Sequence, residues 1–269
     1  MVKYTMNKAC SKIRSSLTPD LGRIRMPAQD LKRSLFLGLI LGFMPGLYGS
    51  AMAAEVPLRA FTASYELIKS GMKLGTTRLS LEPVEELWRW RVTTRARGIY
   101  SIFIRKKPYA ETTFSHSYNQ IRLQQIVIAD EKNKDKYESA SFDWESGQMQ
   151  VIRKGKHTKV ALTKGVYDYQ SIHLLAASMQ LQGLENTTVK FYRKGKLVDS
   201  SLVDLGEGSV KIGDKNIDAR IFEQTITGSK SRVKYYYDLQ NPLLPLLIES
   251  RKGDDSQGIL KLREVQWRS

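Results

Sequence analysis

The sequence predicts a mainly antiparallel β protein, built as a curved or half-open barrel or spiral sheet with one amphipathic helix packed on it. Three observations support this fold class. Runs of alternating apolar and polar residues recur along the chain, and alternation of period two is typical of strands with one buried face. Turn-forming residues separate these runs. Residues 168–182 alone carry apolar residues at a clear helical spacing.

Residues 1–53 have the features of an export signal. The apolar stretch 35–44 follows Lys32 and Arg33 and precedes the small-residue site at 51–53. A charged region, an apolar core and an A-x-A site are the three parts of a secretory signal peptide. The apolar core has about ten residues, whereas a membrane-spanning helix needs about twenty. We therefore predict a signal peptide over residues 26–53, with cleavage after Ala53.

Residues 1–25 would make the charged region of this signal unusually long. We interpret them as a misassigned or dispensable extension, because a start at Met26 gives a signal of ordinary length, about 15–30 residues. A start at Met1 stays open. The single cysteine, Cys10, lies in this extension. The exported chain would then lack both a disulfide and the lipidated cysteine of a lipoprotein. We predict that residues 54–269 form a single β domain in the periplasm.

The alternating runs start soon after the predicted cleavage site and continue to the C-terminus. They are rich in Thr, Val, Ile, Tyr and Trp, which suit a pleated surface. Turns such as Lys69-Ser70-Gly71 and Lys194-Gly195-Lys196 separate them. In chain order, the predicted strands are 61–68, 74–81, 87–100, 109–118, 121–129, 137–144, 189–192, 197–205, 216–225, 232–237, 246–250 and 259–267.

The strand predicted at residues 87–100 places a row of arginines on one face, opposite a mostly apolar face that includes Trp88 and Trp90. This arginine ladder consists of Arg89, Arg91, Arg95 and Arg97. One interpretation is a solvated face neutralised by acidic residues of neighbouring strands, for which the candidates are Glu66, Glu82, Glu111 and Glu138. The other is a contact for anionic headgroups, because guanidinium groups bind phosphate and carboxylate oxygens in pairs. The sequence favours the first interpretation and leaves the second open.

The predicted helix, residues 168–182, carries one apolar stripe. Asp168 is suited to cap its N-terminus, and Gly183 is suited to end it. We expect the helix to pack across the open side of the sheet, since neither apolar surface can stay in water. The stripe residues, at i, i+3, i+4 and i+7, are the candidates for lining or closing a cavity: Ile172, Leu175, Ala176 and Met179.

The sequence contains no familiar pattern of a catalytic or metal site. Its three histidines, His116, His157 and His173, are not at metal-ligand spacing from one another, so we expect ordinary surface or core-edge histidines. The G-x-S-x-G nucleophile motif and the glycine-rich phosphate loops are absent. We predict that the protein is not an enzyme and that it has no metal or other cofactor.

The charge of the chain points to anionic partners. The formal net charge is +16, and an excess of Lys and Arg remains when residues 1–53 are removed. A strongly basic surface favours phosphorylated lipid headgroups, lipopolysaccharide or acidic polysaccharide. Nucleic acid would satisfy the same charge, but an exported protein rarely meets it, so we expect no nucleic-acid partner.

Three segments carry a family resemblance: Tyr65 to Thr76 with its Leu-Gly-Thr, the helix start at residues 167–171, and the pair of segments from Tyr235 to Leu246. They resemble an uncharacterised exported bacterial family, number 3108 in the domain-of-unknown-function series. The resemblance implies a periplasmic, mostly antiparallel β protein without an assigned activity, and it supplies no catalytic residues. A looser likeness, at the level of fold, is to the periplasmic lipoprotein carriers, which are half-open sheets closed by helices.

Two hypotheses about function follow. In the first, the chain is a non-enzymatic periplasmic protein of the cell envelope that binds an amphipathic or lipid-like ligand in a β cavity, with a basic rim toward anionic headgroups. This hypothesis predicts a continuous apolar pocket between sheet and helix. In the second, the chain is a structural or interaction protein that assists an envelope protein partner. This hypothesis predicts a filled core with a free sheet edge or an exposed apolar patch.

Overall fold

The computed structural model describes residues 56–97, 108–117, 120–131, 133 and 136–268. The predicted N-terminal extension, signal peptide and cleavage site lie outside these residues, as does the end of the ladder strand, residues 98–100. Within the described ranges, no helix combines the length and the apolar character that a membrane crossing requires.

The described part of the chain contains fifteen strands and one helix. Their bounds are β1 Phe61–Lys69, β2 Met72–Val84, β3 Leu87–Ala96, β4 Pro108–Ser117, β5 Gln120–Asp130, β6 Glu138–Asp143, β7 Gln148–Arg153, β8 Lys156–Ala161, β9 Val166–Tyr167, α1 Ile172–Gln182, β10 Asn186–Arg193, β11 Lys196–Ile212, β12 Lys215–Ile226, β13 Ser231–Asp238, β14 Pro245–Lys252 and β15 Asp255–Trp267.

All of these strands join one sheet, in the order β8-β7-β6-β5-β4-β3-β2-β1-β15-β14-β13-β12-β11-β10-β9. Most neighbours in the sheet are consecutive in the chain and antiparallel, as expected for strands joined by short turns. The pairing of β1 with β15 joins the first and last parts of the chain. The short strand β9 pairs in parallel with β10, so the sheet is mixed. The predicted fold class, a mainly antiparallel open sheet with one helix, is confirmed.

The connection between β8 and β9 forces the sheet to curve. These strands lie at opposite ends of the sheet, yet only residues 162–165 separate them in sequence. Such a segment spans at most about 17 Å, at roughly 3.4 Å per residue. The two ends of the sheet must therefore come close together. A hydrogen bond between the two halves confirms this approach, since Tyr192 Oη of β10 donates to Glu138 Oε1 of β6 at 2.8 Å.

Side-chain alternation assigns an inner and an outer face to the strands. In β1, Phe61, Ala63 and Tyr65 are fully buried, and the residues between them are partly exposed. Strands β7 and β8, which the sequence did not predict, flank the turn at Lys154-Gly155. In β8 almost every residue is exposed, because it is an end strand. Its residues therefore show no apolar alternation that would mark it as a strand.

The helix lies inside the curve of the sheet and joins two groups of buried residues. Leu174 and Ala177 pack with the first core cluster, which is formed mainly by β1 to β7. The opposite side of the helix packs with the second cluster, whose strand residues come from β10 to β13. The helix is therefore buried on more than the one predicted stripe, because sheet surrounds its first two turns.

The helix begins four residues later than predicted. Ile172 is its first residue, and the N-cap, Ser171, makes no side-chain capping bond. Asp168 instead shapes the preceding turn, since its Oδ1 accepts hydrogen bonds from the backbone N–H groups of Ser171 at 2.7 Å and Gln170 at 3.2 Å. The end at Gly183 is as predicted: this residue has a left-handed φ of 65°, and its N–H bonds to the carbonyl oxygen of Met179.

Candidate functional site

The arginine ladder lies on the outer face of β3, and its first half is neutralised. Arg89 faces Glu82 across the β2–β3 pair, and its Nε and Nη2 atoms donate to Glu82 Oε1 at 3.1 and 2.7 Å. This hydrogen bond raises the pKa of Arg89. Arg91 Nε lies 3.7 Å from Glu111 Oε2, and its guanidinium lies 5.6 Å above the ring of Tyr109. Arg89 is therefore compensated by a hydrogen-bonded acidic neighbour, whereas Arg91 lies within ion-pair distance of Glu111 but has no hydrogen bond from its Nε.

The other two predicted acidic neighbours lie elsewhere. Glu66 is on the outer face but pairs with Lys73 at 3.0 Å. Glu138 is on the inner face, 8% exposed, and accepts a hydrogen bond from Arg153 Nε at 2.7 Å. The prediction that Glu138 compensates the ladder is therefore wrong, because its position in β6 turns its side chain toward the core.

The second half of the ladder has no acidic partner among the described residues. Arg95 and Arg97 are exposed, and neither forms an ion pair with any other residue of the described ranges. They line a cleft of about 480 Å³ together with Arg78 of β2. An adjoining cleft of about 340 Å³ shares Arg78, Thr93 and Arg95 with the first and extends to Arg268. We call the two clefts together the arginine groove, with the basic residues Arg78, Arg91, Arg95, Arg97 and Arg268.

Hydroxyl groups lie between the cations of the arginine groove. Strand pairing places Arg78 between Ser64 and Thr93, and it places Arg95 beside Thr76. Five arginines face three glutamates along the two clefts, namely Glu82, Glu131 and Glu264. Guanidinium and hydroxyl donors on a rigid sheet suit an anion with several oxygens, such as a phosphate. Arg78 and Arg268 were not predicted from the sequence, because only the strand register shows that they lie beside the ladder.

The helix stripe fills the space between helix and sheet. All four side chains belong to the second core cluster and are at most 8% exposed. They pack against buried side chains of the facing strands, among them Phe191, Leu202 and Phe222. None of the four lines either cleft of the arginine groove, and none lines the cleft beside residues 168–170.

The helix start is fastened to β4 by a buried carboxylate. Asp168 is 2% exposed, and its Oδ2 accepts a hydrogen bond from Thr112 Oγ1. Its Oδ1 accepts a hydrogen bond from Ser171 Oγ at 2.7 Å. Burial raises the pKa of Asp168, and the hydrogen bonds partly offset this effect. This carboxylate holds the first turn of the helix against the sheet.

Residues 60–257 match the family model described as Protein of unknown function (DUF3108). The chain belongs to this family. The family resemblance found in the sequence is thereby confirmed. No curated protein matches the chain.

Solved structures similar to this DUF3108 chain support the fold. A beta-barrel-like protein of the domain of unknown function DUF1849 from Brucella abortus has a TM-score of 0.56 at 12% identity, over 80% of this chain and 100% of that chain. The Pseudomonas aeruginosa MucA/MucB complex has a TM-score of 0.35 at 8% identity, over 81% of this chain and 55% of that chain. The first likeness shows a β-barrel-like architecture, and the second is too distant to carry an argument.

One histidine of this DUF3108 chain was misjudged from the sequence. His173 is 3% exposed and is therefore a core residue. Its ring stacks on Trp90 with centroids 5.0 Å apart, and its Nδ1 is hydrogen-bonded to Tyr237 Oη at 2.7 Å. Burial lowers its pKa to about 3. Its position between Ile172 and Leu174 is the signal that could have indicated burial, because both neighbours are apolar.

The described ranges contain no group of three or more His, Cys, Asp or Glu residues that could hold a metal ion. The side chains of Glu82, Glu111, Glu138, Asp168 and His173 are occupied in hydrogen bonds or ion pairs. The arginine groove differs from these sites, because Arg78, Arg95 and Arg97 line it without an ion pair to a described residue.

Proposed function

We propose that the protein is a non-enzymatic component of the cell envelope that acts in the periplasm. In this proposal, the arginine groove binds the phosphate groups of an anionic envelope lipid, lipopolysaccharide included. The observation that carries the proposal is that Arg78, Arg95 and Arg97 line one cleft and form no ion pair with a described residue.

The geometry of the sheet favours binding of an anion. Arg95 lies near the end of β3 and Arg97 follows directly after this strand, and a spacing of two residues in extended chain separates their backbones by roughly 7 Å. Arg78 lies on the adjacent strand. Three cations at such distances repel one another, although water and salt weaken the repulsion. A phosphate between them would relieve the repulsion, and the backbone would not need to move because strand pairing already fixes it.

The periplasmic location is supported by the signal peptide that the sequence predicts over residues 26–53. We expect the protein in a periplasmic extract to begin at Ala54, as determined by N-terminal sequencing. Replacement of Met26 as initiator should abolish expression if translation starts there, and it should leave expression unchanged if translation starts at Met1. Recovery of the unprocessed chain from the cytosol alone would contradict the proposed location.

Vesicle binding tests the proposed function. The double variant Arg95→Gln and Arg97→Gln should bind phosphatidylglycerol-containing vesicles about 30-fold more weakly than the unmodified protein, at about 1 kcal/mol per arginine near an anionic surface. Binding should weaken further as the salt concentration rises. The measurement is co-sedimentation with vesicles, compared with phosphatidylcholine vesicles alone.

A matched control separates a site from general charge. Arg232 and Arg251 are exposed cross-strand neighbours on β13 and β14, and the double variant Arg232→Gln and Arg251→Gln changes the net charge equally. We expect this control to keep nearly full binding. Equal losses in both double variants, or no vesicle binding by the unmodified protein, would overturn the proposal.

A second function is favoured by a different observation. Strand β8 is an end strand of the sheet, and it is paired with β7 alone among the described strands. A free edge offers backbone donors and acceptors to an extended segment of another protein. The chain would then assist an envelope protein partner. Crosslinking from Thr158, with the exposed turn residue Asp214 as control, would favour this function if one identified envelope protein is captured only at Thr158.

A further inference from the structure

A separate cleft of about 310 Å³ opens where the two halves of the curved sheet meet, beside the start of α1. Strands β5, β6 and β7 form one side of this cleft, β10 and the turn after it form the other, and residues 168–170 close one end. We call it the seam cleft. It shares no residue with the arginine groove, so a ligand in the seam cleft and an anion in the groove would bind at separate sites.

One wall of the seam cleft is apolar. Ile126 and Ile128 of β5 line it, together with Tyr169. Tyr169 packs edge-on against Phe191 with ring centroids 4.9 Å apart, yet it stays 41% exposed. A large aromatic ring held in place but left open to solvent can cover the hydrocarbon part of a ligand.

The acidic residues of the seam cleft are satisfied within the protein. Glu138 accepts hydrogen bonds from Arg153 Nε at 2.7 Å and from Tyr192 Oη at 2.8 Å. Asp168 is 2% exposed and accepts hydrogen bonds from Thr112 and Ser171. Glu138 and Asp168 are therefore already engaged with side chains of the protein, and they attract a cationic ligand only weakly.

Two cations of the seam cleft are not paired with an acidic residue of the described ranges. Arg193 and Lys194 line the cleft, and neither forms an ion pair with a residue of the described ranges. Arg193 contacts the hydroxyl of Tyr169, which carries no charge when protonated. The turn that carries Lys194 is held against β7, because a Cβ at Gly195 would come within 3.2 Å of Val151 Cγ1. The backbone that carries both cations is therefore held beside the apolar wall.

We propose that the seam cleft binds a small amphipathic anion. Arg193 and Lys194 hold its acidic group, a carboxylate or a phosphate, and Ile126, Ile128 and Tyr169 cover a short hydrocarbon part. The volume lies at the lower end of the range for small-ligand sites, roughly 300–1,000 Å³. The site therefore takes a single short chain and excludes a complete diacyl lipid. The predicted lipid-like ligand is thereby assigned to the junction of the two sheet halves, since the helix stripe is filled by side chains.

Four probes test the chemistry of the site. Octanoate and octyl phosphate carry both an acidic group and a chain, octanol carries the chain alone, and acetate carries the charge alone. Isothermal titration calorimetry on the purified protein should show that at least one of the first two binds at least tenfold more tightly than octanol and acetate. Tighter binding of octanoate would identify a carboxylate ligand, and tighter binding of octyl phosphate would identify a phosphate. Octanol binding as tightly as the anions, or no binding by either anion, would overturn the proposal.

Variants locate the binding. Arg193→Gln and Lys194→Asn should each weaken binding of the preferred anion at least fivefold. Asn is chosen at position 194 because this turn residue has a left-handed φ of 50°, which Asn tolerates. The control Lys211→Gln removes an exposed lysine of β11 and should leave the affinity unchanged. The double variant of Arg95 and Arg97 should also leave it unchanged, so failure of this proposal is distinguishable from failure of the arginine groove. Equal affinity in Arg193→Gln, Lys194→Asn and the control would contradict the assigned site.

Discussion

Several buried polar side chains inside the sheet are held in hydrogen-bonded sets. Tyr237 Oη is bonded to His173 Nδ1 at 2.7 Å, and Tyr65 Oη donates to the carbonyl oxygen of Pro245 at 2.8 Å. Tyr235 Oη donates to Gln224 Oε1 at 2.8 Å, and Gln224 in turn donates to a buried serine. A buried donor or acceptor without a partner costs free energy. The positions beside the helix therefore require tyrosine, whose hydroxyl group completes these hydrogen bonds, and phenylalanine would leave a buried partner unpaired.

Replacement of one hydroxyl tests this requirement. Tyr237→Phe leaves His173 Nδ1 without its partner, and we expect a loss of about 1–3 kcal/mol in the free energy of unfolding. The adjacent residue supplies the control, because Tyr236 points to the outer face, where its hydroxyl lies 3.5 Å from Glu249. Tyr236→Phe should change stability by less than about 0.5 kcal/mol. Urea denaturation measures both, and equal effects would contradict the prediction.

The buried histidine should make stability depend on pH. The pKa of His173 falls from 6.5 to about 3 on folding because of burial. The contribution of His173 to the free energy of unfolding is complete above pH 6.5. It is lost as the pH falls toward 3, because in this range only the unfolded chain binds the proton. The loss reaches about 1.4 kcal/mol per pH unit. The stability advantage of the unmodified protein over His173→Gln should therefore shrink between pH 7 and 4.5.

Other groups do not obscure this comparison. Burial raises the pKa of Asp168 above its unfolded value of 3.8. The effect of Asp168 on stability therefore has the opposite sign to that of His173, since folding is favoured as the pH falls toward 3.8. Both proteins contain Asp168, and its effect cancels in the difference. The tyrosines around His173 have raised pKa values and stay neutral in this range. An advantage that stays constant over the range, determined by urea denaturation at each pH, would count against the prediction.

At the scale of elements, the pairing of β2 with β3 depends on one glycine. A Cβ at Gly75 would lie 2.2 Å from the carbonyl oxygen of Arg95. The close approach lies next to the hydrogen bond from the N–H of Arg97 to the carbonyl oxygen of Leu74, 3.1 Å long. A residue without a side chain is therefore needed where the end of β3 closes onto β2. This contact also positions Arg95 and Arg97 in the arginine groove.

Gly75→Ala should disturb this strand end. The obstacle is backbone, which cannot turn away, so we expect a destabilisation of about 1–3 kcal/mol and weaker vesicle binding. Gly208→Ala is the control, because its Cβ would meet the flexible end of Ile221, at 2.8 Å from Cδ1. Thermal denaturation and co-sedimentation measure the two effects. If both variants lose stability equally, the close approach at Gly75 is not the cause.

At the scale of the whole molecule, the helix makes the two halves of the sheet depend on each other. The first core cluster contains or contacts all four tryptophans of the chain, Trp88, Trp90, Trp144 and Trp267. The second cluster contains Phe222 and no tryptophan. Since α1 packs with both clusters, the halves should unfold together.

Tryptophan fluorescence can test this coupling. Phe222→Ala should destabilise the protein by about 3–5 kcal/mol and should shift the fluorescence transition in urea as far as the circular dichroism transition. The control Val203→Ala removes an exposed side chain on β11 and should cause a small shift. A circular dichroism transition that moves while the fluorescence transition stays in place would show that the halves unfold independently.

Local patterns in the sequence predicted most elements of this fold. Alternation identified most of the strands, because a strand with one buried face must repeat every two residues. The end of the helix at Gly183 followed from the left-handed conformation that glycine adopts easily. Strands β7, β8 and β9 were not predicted. Strand β7 does alternate, with Met149 and Val151 buried, and its pattern was overlooked. Strand β8 is exposed, and β9 has two residues. Neither carries enough periodicity to be recognised.

By itself, the sequence determined the predominance of strands, the presence and end of one helix, the two faces of β3 and the excess of positive charge, because all of these depend on neighbouring residues. The tertiary structure decided which strands pair and which side chains contact each other. It paired β1 with β15, turned Glu138 toward the core, buried His173, and separated the ladder into a compensated half and an uncompensated half. These outcomes depend on strand register and sheet curvature, which bring together residues up to 206 positions apart in the chain. A local sequence pattern contains no information about which distant residue lies opposite a given residue in the sheet.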